Sequence, residues 1–124
     1  MNLNTLFKIN VFVSGLFGLG FVFAPEATLA PYGLSQEIID GSVMIARWFG
    51  GANIGYAILS WMMSNSQDSD AKTNVAKAYS IGFGISFLIS IQNQLSGEMN
   101  SLGWSTVILF AAFSIAFGKF AFKK

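Results

Sequence analysis

The chain contains no cysteine and no histidine. Their absence removes disulfides, thiolate nucleophiles, the usual zinc sites, histidine-ligated haem and the Ser-His-Asp triad. No catalytic residue, metal site or cofactor is therefore expected. Charge is also scarce: charged residues make up 10% of the chain, against about 25% in an ordinary soluble domain. The formal net charge is only +1, and no nucleic-acid partner is expected.

What the chain has in quantity is apolar surface. Hydrophobic residues make up 53% of its 124 positions, and its mean hydropathy is +0.57. A soluble domain this small could not bury that much apolar area. A lipid bilayer is the expected surroundings.

Reading from charge to charge divides the chain. Uncharged runs extend over residues 9–25, 48–67, 78–97 and 99–118. The last three are each about 20 residues, the length a helix needs to cross the hydrocarbon core. The first is shorter, and residues 3–7 extend it backward across Lys8. Backbone polar groups in lipid must pair internally, so the runs are helices rather than strands. The expected architecture is all-α, a single four-span transmembrane four-helix bundle over residues 1–124, with spans near 3–24, 36–63, 71–94 and 101–120.

Local signals agree with these spans. Pro25 ends the first helix, and Pro31 with Gly33 keeps the next loop irregular. Ser35 is placed to cap the second helix, Asp70 the third, and Asn100 or Ser101 the fourth. The first segment has the outline of a signal peptide, but Pro25 directly after the Val22-Phe23-Ala24 site disfavours cleavage, so a retained span is expected.

Orientation follows from the lysines. Lys8, Lys72, Lys77, Lys119, Lys123 and Lys124 all fall on one side of a four-span layout. The opposite loops carry Glu26, Glu37, Asp40 and Glu98. Both termini and the 64–74 loop are expected in the cytoplasm of a bacterial cell, with the chain in its inner membrane. Tyr32 and Trp104 would form the outer aromatic belt, Trp61 and Tyr79 the inner one.

Helices in lipid associate through close backbone approach and interhelical hydrogen bonds. Each span has small residues four apart: Ser14 and Gly18, Gly51 and Gly55, Ser80 and Gly84, Ala112 and Ala116. These are read as packing positions within one bundle, with dimerisation through the Gly51–Gly55 face as the alternative. Asn10 and Asn53 are polar at mid-span and are expected to bond across helices. The 13 phenylalanines are read as lipid-facing and bundle-filling rather than as a pigment, quinone or sterol surface.

Arg47 is the one charge inside a span and away from the cytoplasmic end. At 1.5 Å per residue it lies roughly 5 Å inside the outer boundary. Its side chain leans toward the helix N-terminus, toward Asp40 two turns earlier. Two readings stand. Arg47 either snorkels outward and pins the fold, or joins Asp40, Tyr56, Gln92 and Asn93 in an outward-facing polar pocket for an anion, headgroup or partner loop.

The stretch Ala46-Arg47-Trp48-Phe49-Gly50-Gly51-Ala52-Asn53-Ile54-Gly55-Tyr56, with Phe23-Ala24-Pro25-Glu26 and Tyr32-Gly33-Leu34, resembles small uncharacterised four-span bacterial proteins of the DoxX-like kind. Those have an Ala-Arg-x-x-Gly second helix after an acidic outer loop. The layout is also similar to the sterol-biosynthesis scaffold family, four-span proteins with no catalytic residues of their own. The resemblance implies a four-helix membrane fold and an accessory or scaffolding role, and it carries over no active site.

The leading expectation is a non-enzymatic multi-pass accessory or scaffolding subunit, in contact with the bilayer and with other membrane proteins or itself. The alternative is a small oligomeric transporter or channel using the Arg47 pocket. A membrane enzyme would have to rely on Asp40, Glu98 or Tyr56 for acid–base work.

Overall fold

A computed structural model describes residues 1–123; Lys124, counted above among the cytoplasmic lysines, lies outside the described residues. The fold is all-α. Helix α1 spans Leu3–Phe23, α2 Pro25–Leu29, α3 Gln36–Ser64, α4 Ser69–Leu95 and α5 Gly103–Ala121, with a single 3-10 turn at Ala30–Tyr32.

The helix starts are chemically explained. Asn2 Oδ1 accepts from the Thr5 amide at 2.8 Å, and Ser35 Oγ from the Ile38 amide at 3.3 Å. These side chains satisfy donors that the first turn of a helix leaves without partners. The cap of α4 is Asp68, whose Oδ1 accepts from Ala71 N at 3.0 Å. Asp70, expected in that role, lies inside the first turn, where its charge suits the helix dipole. Before α5, Asn100 Oδ1 accepts from Leu102 N at 3.0 Å and holds the entering turn.

The segment after Pro25 is not the irregular loop that its prolines suggest. Pro25 stands at the start of α2, where its fixed φ and missing N–H fit the first turn. Gly33, at φ 73°, then ends the 3-10 turn. That angle favours glycine, and a Cβ there would also meet the Asn100 side chain.

Four long helices form two close antiparallel pairs, α1 with α3 and α4 with α5. The α1–α3 crossing is at Gly18 and Gly50. A Cβ on Gly18 would stand 2.9 Å from Gly50 O, and one on Gly50 would stand 2.8 Å from Gly18 O. Phe21 packs edge-on against Phe49 just beyond, with ring centroids 5.5 Å apart. In the second pair, Ser80 Oγ donates to Ser114 O and Ser114 Oγ to Ser80 O, both at 2.8 Å. Gly84 and Gly118 lie beside these hydroxyls.

These contacts correct part of the small-residue reading. Gly51 and Gly55 face open space, because the close approach on α3 falls on Gly50. One residue along a helix is a turn of about 100°, so Gly51 is carried off the crossing. Ala112 is exposed, whereas Ala116 packs against the core. On α5 the close approach is made by Ser114 and Gly118.

Between the pairs, contact is concentrated at the two ends. At one end Leu6 and Phe7 of α1 pack with Ala76 and Tyr79 of α4 and with Phe113, Phe117 and Ala121 of α5. Phe7 and Phe117 are fully buried there. This is the end bearing Lys8, Lys72, Lys77 and Lys119. At the other end the loops meet: Asn100 N donates to Tyr32 O at 2.8 Å, and Asn100 Nδ2 to Pro31 O at 3.0 Å.

The outside of the fold is apolar. Phe12, Leu16, Trp48, Ile58, Leu88, Ile108 and Ile115 are all more than half exposed, while Asn10, Ser14, Ser60, Ser80 and Ser90 are buried. Helices α1, α4 and α5 are long and apolar enough to cross a membrane. The longest helix, α3, has Arg47, Asn53 and the Gly50-Gly51 pair in its central stretch, which lower its apolar character.

Candidate functional site

Because the pairs touch chiefly at their ends, a cavity of about 680 Å³ remains between them. It falls in the range of pockets that accept drug-sized molecules, about 300–1,000 Å³. All four long helices contribute walls, and Leu29, Tyr32, Leu34 and Met99 close the side toward the loops. Aromatic rings dominate: Phe17 and Phe21 on α1, Phe49 and Tyr56 on α3, Tyr79 and Phe83 on α4, Phe110 and Phe113 on α5. Phe83 stacks on Phe113 with centroids 5.1 Å apart, which fixes one wall. Among the described residues, no aspartate, glutamate, lysine or arginine lines the cavity.

A hydrogen-bonded chain of side chains lies at the lysine-bearing end. Ser14 Oγ donates to Asn10 Oδ1 at 3.1 Å, and Asn10 Nδ2 donates to Ser60 Oγ at 2.8 Å. The Ser60 and Tyr79 hydroxyls are 3.0 Å apart, and the Tyr79 hydroxyl donates to the Tyr56 carbonyl at 3.0 Å. A phenol has one proton, so Ser60 is the donor toward Tyr79. The chain ties α1, α3 and α4 together, and Asn10 and Ser60 within it are fully buried. The hydroxyl protons of Ser14, Ser60 and Tyr79 each have an acceptor, as a buried polar cluster requires.

The opposite end is closed by a second set of polar contacts. The Tyr32 and Thr106 hydroxyls lie 3.3 Å apart. Gln94 turns inward, donating Nε2 to Asn100 O at 2.9 Å, and its Oε1 occupies the space a Cβ on Gly103 would need. A side chain at position 103 would have to displace Gln94.

The polar residues expected around Arg47 are not gathered in one place. Tyr56 and Asn93 line the cavity. Arg47 is exposed on α3 and does not line it, and Gln92 is exposed on α4. Asp40 is held within its own helix by Gln36 Nε2 at 2.8 Å. Asn10 bonds across helices, while Asn53 donates to Phe49 O at 3.1 Å in its own helix. Tyr79, expected in an aromatic belt, is turned into the core by its two hydrogen-bond partners. Of this cluster, Asn10, Ser14, Tyr56 and Tyr79 each carry an expectation from the sequence, and Ser60 carries none. A serine in an apolar run has no distinguishing signal until the facing helix is known.

The match that places this chain among known proteins spans residues 8–123, and so takes in both helix pairs and the cavity. The chain belongs to the DUF8292 family, a domain of unknown function. No curated protein and no solved structure matches it. The DUF8292 assignment leaves function to be argued from the site itself.

Proposed function

We propose that this DUF8292 protein is a four-span integral protein of a bacterial cytoplasmic membrane, acting as a non-enzymatic accessory or scaffolding subunit. The observation that carries the membrane reading is the inverted distribution of polarity. Large apolar side chains cover the outside of all four long helices, while serines and Asn10 are turned inward. In water such an exterior would associate without limit; in lipid it is the expected solvent-facing surface. The fourth span is α3, with Arg47 reaching from its outer third toward the headgroups. The lysine-bearing ends face the cytoplasm.

The scaffolding reading draws support from the outer face of α3. Gly51 and Gly55 leave open space there, beside the exposed Trp48 and Ile58. Another transmembrane helix could approach that face closely. The resemblance to DoxX-like and sterol-scaffold proteins points the same way. In the test, the protein is extracted from native membranes with mild detergent, and its assembly size is compared with that of Gly51→Leu and Gly55→Leu. The reading expects a larger assembly that both variants lose while remaining folded. A wild-type monomer contradicts it.

The cavity favours a second reading, a small oligomeric transporter. With no charged wall, its solute would be uncharged, and Arg47 would not be its ligand. Arg47→Met should then leave folding and assembly intact. A folded Arg47→Met variant that has lost its assembly or ligand would restore the Arg47 pocket.

A further inference from the structure

We propose that the cavity between the two helix pairs is a binding site for an uncharged lipid with a hydroxyl or carbonyl oxygen at its polar end. This inference rests on the membrane reading above and gives the cavity an occupant.

Three features select that class of ligand. The first is enclosure. Packing and hydrogen bonds close both ends of the cavity, at Phe7, Tyr79 and Phe117 and at Tyr32, Asn100 and Thr106. With both ends closed, the way left into the cavity is lateral, between helix pairs that make few contacts with each other. A molecule entering there comes from the hydrocarbon layer, so it is a lipid rather than an aqueous solute.

The second is charge. None of the lining residues is ionisable in the neutral range. A phosphate or carboxylate drawn into this space would lose its hydration and find no cation in return. Phospholipid headgroups and fatty acids are therefore disfavoured, and a neutral molecule is selected.

The third is the unused hydrogen-bonding capacity at one end. Ser14 gives its proton to Asn10 Oδ1, so its lone pairs remain available. Ser14 is nine-tenths buried and lines the cavity, as does Tyr56, whose phenol can donate. Together they can accept from a hydroxyl or donate to a carbonyl. The aromatic walls would hold an isoprenoid chain or a ring system by dispersion.

The experiment uses the full chain in detergent, with geranylgeraniol and geranylgeranyl phosphate as probes, and native mass spectrometry reads the retained adduct. Equal concentrations of the two should give at least about tenfold preference for the alcohol. Gly82 lines the cavity and has open space where a Cβ would go. Gly82→Leu should intrude into the cavity, weaken retention and leave thermal stability unchanged or raised. Ser86→Leu, on the same wall, serves as the second variant. Ser14→Ala should weaken retention of the alcohol by roughly two- to tenfold, the value of one hydrogen bond. Equal retention of the phosphate would overturn the proposal. So would undiminished retention by a folded Gly82→Leu or Ser86→Leu variant, or no retention by the wild type. Topology is measured separately, so a chain that spans the bilayer but takes up no alcohol contradicts this inference alone.

Discussion

Ser80 and Ser114 hold α4 and α5 together reciprocally, each hydroxyl donating to the other residue's backbone carbonyl at 2.8 Å. The arrangement requires both helices to approach closely, and Gly84 and Gly118 beside the hydroxyls make room for it. Interhelical hydrogen bonds in lipid are worth about 0.6 kcal/mol on average. Ser80→Ala and Ser114→Ala should therefore each lower stability by about that amount, since each orphaned carbonyl keeps its own helical partner. Ser80→Val should cost more, because the added methyl group meets Gly118. Thermal unfolding in detergent measures both; an alanine variant costing more than its valine counterpart would refute the close-approach explanation.

The Gly18–Gly50 crossing makes a sharper prediction. A methyl group on either glycine runs into backbone atoms of the facing helix, which cannot move aside as a flexible side chain could. Gly18→Ala and Gly50→Ala should each destabilise by about 1–3 kcal/mol, the usual range for overpacking. Gly51→Ala, with open space around it, should not destabilise and should gain up to about 1 kcal/mol from helix propensity. Equal effects at Gly50 and Gly51 would place the crossing elsewhere.

The Asn10 cluster tests whether its hydrogen bonds are load-sharing or incidental. Asn10→Asp would put a charge, fully buried, beside Ser14 and Ser60 with no cation nearby. It should prevent folding at neutral pH or cost several kcal/mol. Tyr79→Phe removes the donor to the Tyr56 carbonyl and also the acceptor of the buried Ser60 hydroxyl, so about 1–3 kcal/mol is expected. If Asn10→Asp is as stable as the wild type at neutral pH, the cluster must be reached by water.

Much of the helical layout could be read from the chain because charge is so sparse: long uncharged runs leave little choice about where helices lie. Observed ends such as Leu3–Phe23 and Gln36–Ser64 fall within a residue of those expected. The misplacements have local causes. Asp70 is the expected cap of α4, yet the hydrogen bond from Ala71 N puts the cap on Asp68, two residues earlier. In the Gly50-Gly51 doublet, spacing alone cannot say which glycine faces the neighbour. Helix geometry points Arg47 toward Asp40, but the Asp40 carboxylate accepts from Gln36, one turn before it on the same helix. The cavity was not legible at all, since it arises from how two pairs fail to close on each other. Phenylalanines such as Phe83 and Phe110 look the same in a sequence whether they face lipid or line a void.

The central claim is that α3 crosses the membrane as a fourth span, which puts Ser35 and Ser66 on opposite sides. The natural absence of cysteine provides a clean background for testing it. Ser35→Cys and Ser66→Cys, each introduced alone, would be exposed to a membrane-impermeant maleimide in cells whose inner membrane is intact but whose periplasm is accessible. The account predicts labelling of Ser35→Cys in those cells and of Ser66→Cys only after the inner membrane is broken. Labelling of both positions from the same side would contradict it.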